Sequence, residues 1–175
     1  MEQMESVYSV HGPFRVPTEP LKKIRWVNEN KIKQFWQEDD RRKKLKDGRG
    51  CYVFAIQAGP GYTPWYVGEA TKGFGQECFS ERNLLRYNRV VANQTGSPVL
   101  FLVAHPTKIG PTRKIEIRNI ERYFTELGAV KNPNLLNKQG KRQPKWTIKG
   151  VIRGRQGQPS REAKAFKKLF GLSND

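Results

Sequence analysis

The sequence predicts an α/β (α+β) domain with a helical N-terminal extension and a basic C-terminal extension. Three observations predict it. First, two tyrosine-bearing patches, Gly50-Cys51-Tyr52-Val53-Phe54 and Trp65-Tyr66-Val67-Gly68, read as short strands. Gly59, Pro60, Gly61 and Pro64 lie between them, so the pair makes a hairpin over residues 50–57 and 65–69. Second, Val99-Leu100-Phe101-Leu102-Val103-Ala104 is a continuous apolar run of strand length, as suits a strand buried on both faces. Third, residues 112–128 set Ile117, Ile120, Phe124 and Leu127 on one helical stripe, with Thr112 before the helix and Gly128 closing it.

The other elements follow in chain order. Residues 1–17 have no period and contain Gly12, Pro13 and Pro17, which predicts an irregular arm. Thr18 is placed to cap a helix with Pro20 in its first turn. Leu21, Ile24, Ile32, Phe35 and Trp36 continue it at helical spacing, and Asn28-Glu29-Asn30 leaves one long helix or two short ones open. The run Arg41-Arg42-Lys43-Lys44-Leu45-Lys46 suits a helix C-terminus, as a solvated face or as a phosphate contact. Residues 80–93 read as a helix with Leu84, Leu85 and Val91 inward and Arg82, Arg86 and Arg89 elsewhere. Asn132-Pro133-Asn134 is a turn running into a short extended piece that reaches Asn137. Ser160 caps a last helix with Ala163, Phe166, Leu169 and Phe170 on one face. These elements divide the chain into an arm and helical extension (1–47), a core (48–140) and a basic extension (141–175).

Charge narrows the partners. The chain has 175 residues and a net charge of +17, from 33 basic and 16 acidic residues. An excess of that size concentrates polyanions, and nucleic acid leads among them because binding releases condensed counterions. No apolar run is long enough to span a bilayer, and the acidic start Met1-Glu2-Gln3-Met4-Glu5 is no signal peptide. No acid lies between Leu127 and Arg161, a stretch with nine Lys and Arg, Trp146 and five glycines. Such a block is either a phosphate-tracking loop or a basic linker. Its cations Lys141, Arg142, Lys145, Arg153 and Arg155, with Trp146, are candidate substrate contacts, and Lys72 is another nearer the hairpin. Cys51, Cys78, His11 and His105 would all be needed for one four-ligand zinc site, so zinc is not expected. Two widely spaced cysteines fit a reduced, cytoplasmic setting.

Candidate chemistry comes from order along the chain: Tyr52, then Tyr66-Val67-Gly68, an arginine-bearing helix, an apolar strand, Glu121 on a helix, and Asn137 after the Pro turn. At about 100° per residue, Glu121 falls roughly 90° from the middle of its helix's apolar stripe, on the border of core and solvent. A phenol, a guanidinium and a metal-binding carboxylate suffice to cut a phosphodiester. Over about residues 48–140 this order resembles the GIY-YIG nuclease family, with Gly50-Cys51-Tyr52 as the first motif and Tyr66-Val67-Gly68 as the second. Cys51 and Val67 stand where the family's motifs carry isoleucine, and Arg86 stands where many members carry histidine.

The resemblance implies a small mixed β-sheet flanked by helices and an endonuclease that hydrolyses duplex or branched DNA with one divalent cation, Mg²⁺ or Mn²⁺. It implies that Tyr52 takes the proton of the attacking water and that Tyr66 positions that water or the phosphate. Arg82, with Arg86 as the alternative, would stabilise charge on the phosphorane; Glu121 would bind the metal; Asn137 would orient Glu121 or brace the turn. Two other readings of the sequence are a binding module that keeps this fold without catalysis, and a basic RNA-binding protein.

Overall fold

A computed structural model describes residues 6–106, 114–137, 147–151 and 158–172. In chain order its elements are β1 (Val7–Arg15), β2 (Glu19–Leu21), β3 (Ile24–Trp26), α1 (Glu29–Gln37), α2 (Asp40–Leu45), β4 (Gly50–Ala58), β5 (Gly61–Ala70), α3 (Phe74–Glu77), α4 (Glu81–Asn93), β6 (Ser97–Ala104), α5 (Lys114–Lys131), β7 (Thr147–Ile148) and α6 (Arg161–Leu169). Among the described residues, five strands form one sheet in the order β5-β4-β6-β1-β7, while β2 and β3 pair separately. The neighbours β5-β4, β4-β6 and β6-β1 are antiparallel, and β7 runs parallel to β1.

Period-two alternation splits the strand side chains between two cores. Along β4, Tyr52, Phe54 and Ile56 face a core with Phe35 and Trp36 of α1, Phe74 of α3 and Tyr87 of α4. Cys51, Val53 and Ala55 face a second core with Ile117, Ile120 and Phe124 of α5 and Phe166 of α6. Helices therefore cover both faces, and the central strand β6 is buried nearly throughout, as its continuous apolar run requires.

The hairpin forms with a tighter turn than its Gly/Pro content suggests: only Gly59 and Pro60 separate the strands. Pro64 lies within β5, where the register slips between Phe54 and Ala55 and leaves Trp65 as the extra residue of a bulge. A proline is tolerated there because β5 is an edge strand.

The N-terminal segment differs from its sequence reading. Residues 7–15 are not an irregular arm but β1, paired to β6 inside the main sheet. Residues 19–26 form the β2–β3 hairpin rather than a helix capped by Thr18. Asn28 does not break a helix; it starts one, its side chain accepting from the Lys31 amide at 3.0 Å. Residues 6–47 thus contribute strand β1 to the core sheet, and the expected helical part is the pair α1 and α2, which packs on that core through Phe35, Trp36 and Leu45. At the other end, Ser160 caps α6 as expected, its hydroxyl accepting from the Ala163 amide at 3.1 Å. Phe166 and Leu169 are fully buried, so this part of the C-terminal segment also belongs to the core.

Two helix faces differ as well. In α4 the buried residues are Asn83, Tyr87, Val90 and Val91, whereas Leu85 is 70 % exposed. The i, i+4, i+7, i+8 spacing sets the face, and Leu85 falls on the opposite side of it. Helix α5 runs past Gly128 to Lys131; Gly128 sits inside the helix because Leu135 and Phe170 pack against it.

Candidate functional site

Two glycines allow the hairpin tyrosines to sit as they do. Gly50 has φ +152°, and a Cβ there would stand 2.0 Å from the Val103 carbonyl oxygen. Gly68 of β5 lies directly opposite Tyr52 of β4. A Cβ on it would come within 2.2 Å of the Tyr52 ring and 2.4 Å of its hydroxyl. The last residue of the second patch is therefore bare so that the phenol of the first can lie over it. Tyr66 pairs with Phe54, one step along the ladder on the same face, which makes the two tyrosines diagonal neighbours with ring centroids 6.2 Å apart.

The phenols differ in surroundings. Tyr52 is 2 % exposed. Its oxygen accepts from Asn83 Nδ2 at 2.7 Å and lies 3.3 Å from the Glu77 carbonyl as donor. Burial pushes its acidity far below that of a free phenol, with Cys78 and Tyr66 acting the same way; the Asn83 bond opposes them. Tyr66 is half-buried on the edge strand. The Arg86 guanidinium sits 4.7 Å from its ring centroid. Burial raises its pKa too, but Arg86 pulls it down, Glu121 pushes it up, and hydrogen bonds from Arg86 and Tyr52 pull it down again.

Glu121 reaches this edge from α5. Its Oε1 accepts from Thr125 Oγ1 at 3.1 Å and from Asn137 Nδ2 at 3.3 Å. Burial, then the nearby Glu69 carboxylate, raise its pKa above the usual glutamate value, against the Thr125, Arg122 and Asn137 contributions. Glu69 is itself paired with Arg118 Nε at 3.3 Å.

Asn137 is held by the strand. Its Oδ1 accepts from the Val67 amide at 2.8 Å, and its Nδ2 also donates to the Val67 carbonyl. The Leu136 amide donates to the Trp65 carbonyl at 3.0 Å, and Asn132 Nδ2 donates to the Pro64 carbonyl at 2.8 Å. The segment after the Pro turn thus lies along the open edge of β5, satisfying groups that an edge strand otherwise leaves bare. That is how a residue so distant in sequence comes to hold Glu121 beside the hairpin.

Tyr52, Tyr66, Arg86, Glu121 and Asn137 therefore share one end of the hairpin. Arg82, the first choice from the sequence, is exposed one turn earlier on α4, and none of the site's bonds or ring contacts involves it. Arg86 takes its place because only the second turn of α4 passes over Tyr66. Lys72 lies on the turn after β5, where its backbone amide donates to Glu77 Oε2 at 2.6 Å and its side chain is exposed. Lys141, Arg142, Lys145, Trp146, Arg153 and Arg155 lie outside the described residues, as does Thr112. Asn83 and Thr125 are site residues that sequence reasoning missed. The one signal for Asn83 was its place one turn before Tyr87 on the α4 stripe.

Among the described residues, no three His, Cys, Asp or Glu side chains gather as a metal cage, and no helix is long and apolar enough to cross a membrane. Comparison with protein-family models, with curated proteins and with solved structures finds no match for this chain.

Proposed function

We propose that the chain is a metal-dependent endonuclease of GIY-YIG type that hydrolyses DNA phosphodiester bonds at the open edge of β5. The observation that carries this reading is the Asn137 amide, which ties the Glu121 carboxylate to the Val67 backbone beside Tyr66 and Arg86. A net charge of +17 supports a polyanionic substrate.

The donor set fits a hard divalent cation. Thr125 and Asn137 both bond Oε1 of Glu121, which leaves Oε2 for a ligand. One carboxylate completed by water and phosphate oxygens is how Mg²⁺ is usually held. When bound, Mg²⁺ or Mn²⁺ would neutralise charge on the phosphate and the leaving oxygen. Glu121 holds that ion, and Asn137 and Thr125 aim the carboxylate. Arg86 offers its planar fork to the phosphate oxygens as charge builds on them.

The role of base passes from Tyr52, where the sequence expectation put it, to Tyr66. Tyr66, half-buried beside Arg86, is the phenol that meets the attacking water: it first gives up its own proton to solvent and then, as the phenolate, takes a proton from the water. Tyr52, buried and bonded on both sides, braces Tyr66 from beneath. The burial of Tyr52 also favours a second reading, a binding module of the same fold without catalysis, which would shift DNA in gels and yield no products in Mg²⁺ or Mn²⁺.

Cleavage by the unaltered chain decides between them, and Glu121→Ala then tests the mechanism. Cleavage of plasmid DNA in Mg²⁺ falls at least about a hundredfold while binding to the same DNA stays within about threefold. Full cleavage by this variant removes the mechanism.

A further inference from the structure

Asn83 is a polar side chain only 5 % exposed, on the inward stripe of α4, and its amide is fully used. Nδ2 donates to the Tyr52 hydroxyl oxygen at 2.7 Å and to the Glu77 carbonyl at 2.8 Å, and Oδ1 accepts from Arg86 Nη1 at 3.1 Å. These partners fix which way round the amide lies. A carbonyl only accepts and a guanidinium only donates, so the nitrogen must face Glu77 and the oxygen must face Arg86. Tyr52 therefore receives a hydrogen bond from Asn83 and has one hydrogen of its own to give.

That hydrogen has two destinations. The Glu77 carbonyl, at 3.3 Å, is already engaged by Asn83 at the shorter distance of 2.8 Å. Tyr66 is the other: it is the diagonal neighbour of Tyr52 with ring centroids 6.2 Å apart, a hydrogen bond from Tyr52 favours its ionised form, and as a phenolate it is the stronger acceptor. Among the described residues, the remaining ionisable groups facing Tyr66 are Arg86 and Tyr87 from α4 and Glu121 from α5.

We infer that Asn83 is a positioning residue that sets the polarity of the phenol pair, making Tyr52 a donor to Tyr66 while seating Arg86 beside it. The inference rests on the nuclease reading and adds to it a residue that touches neither substrate nor cation.

Asn83→Asp keeps the size of the side chain and the acceptor that faces Arg86, but it cannot donate to Tyr52. The new carboxylate instead draws the Tyr52 hydrogen to itself, away from Tyr66. Single-turnover cleavage of a labelled DNA duplex in Mg²⁺ is compared for the unaltered chain, Asn83→Asp, Tyr52→Phe and the double variant. Each single change is expected to slow the rate constant about tenfold with the half-saturating concentration within about twofold, and the double variant to be no slower than Tyr52→Phe. Damage unrelated to Tyr52 would instead multiply the two effects, which would overturn the role of Asn83 and leave the nuclease reading intact. Should Asn83→Asp fail to fold, Asn83→Ser, which buries no charge, takes its place in the same cycle. A chain that cuts nothing in Mg²⁺ or Mn²⁺ sinks the nuclease reading and this inference together.

Discussion

The two tyrosines of the hairpin sit on one sheet face, a ladder step apart, yet one behaves as core and the other as surface. Tyr52 belongs to the inner half of the site: a strand interior, a glycine beneath its ring, an asparagine and a carbonyl at its oxygen. Tyr66 belongs to the outer half: an edge strand, a guanidinium over its ring, a carboxylate nearby. The inner half is specified by packing, where small errors in shape are costly. The outer half is specified by charge and by a few hydrogen bonds along an open edge. A substitution should therefore unfold the first where it only silences the second.

The largest effect expected is at Gly68. Gly68→Ala drives a methyl into the Tyr52 ring, which would stand 2.2 Å from the new Cβ. Overpacking of this kind costs about 3 kcal/mol. Gly61→Ala, on the same strand with only the Ala58 carbonyl oxygen at 3.7 Å, costs under about 1 kcal/mol and serves as the control. Urea unfolding midpoints measure both. Equal midpoints would mean that Tyr52 does not lie over Gly68, and the inner half would lose its definition.

A smaller contrast separates the phenols themselves. Tyr52→Phe leaves one hydrogen of the buried Asn83 amide without an acceptor, a loss of about 2 kcal/mol. Tyr66→Phe removes a hydroxyl from a half-buried edge position and costs under about 0.5 kcal/mol. Their order should reverse for cleavage, where the Tyr66 variant is the slower. If denaturant titration ranks Tyr66→Phe as the more destabilised, the division into halves is misdrawn.

Local pattern explains which parts of this architecture could be read from the chain. The hairpin, β6 and α5 carry their periods within single segments, and Glu121 falls on the border of its helix as its angle requires. Strand β1 carries a period of two as well, but a glycine and a proline mask it. Its register shifts between His11 and Phe14, at Gly12-Pro13, and the shift moves the inward side chains from one core to the other: Tyr8 and Val10 pack with α5 and α6, Phe14 with α1. Burial still alternates along β1, at Tyr8, Val10, Gly12 and Phe14, but Gly12 and Pro13 interrupt the apolar run, and that interruption reads in sequence as an irregular arm. Arg82 and Arg86 lie one turn apart on the same helical face, so only the seating of α4 on the sheet decides which reaches Tyr66. Asn83 looks in sequence like a solvated residue. Its burial is compensated by Tyr52, Glu77 and Arg86, and Tyr52 and Glu77 reach it only through the tertiary fold.

The smallest expected effect concerns the outer half and runs opposite to the others. Burial and Glu69 raise the pKa of Glu121 above its ordinary value of 4.5. In the interval between the unfolded and folded values the native chain holds more protons than the unfolded one, so the contribution of Glu121 to stability falls as pH rises, and it stays low above the folded value. Glu121→Gln has no such loss. Its advantage in Tm should be near zero at about pH 4 and grow to roughly 2 °C at pH 7, measured by thermal melts with chelator present. Adding Mg²⁺ should then stabilise the unaltered chain and not the variant, closing the gap by mass action. A gap that ignores both pH and Mg²⁺ would mean that Glu121 is an ordinary helix residue. A gap that opens with pH and closes with the cation would mean that the fold carries an unfavourable carboxylate for the sake of a ligand, which packing alone would never select.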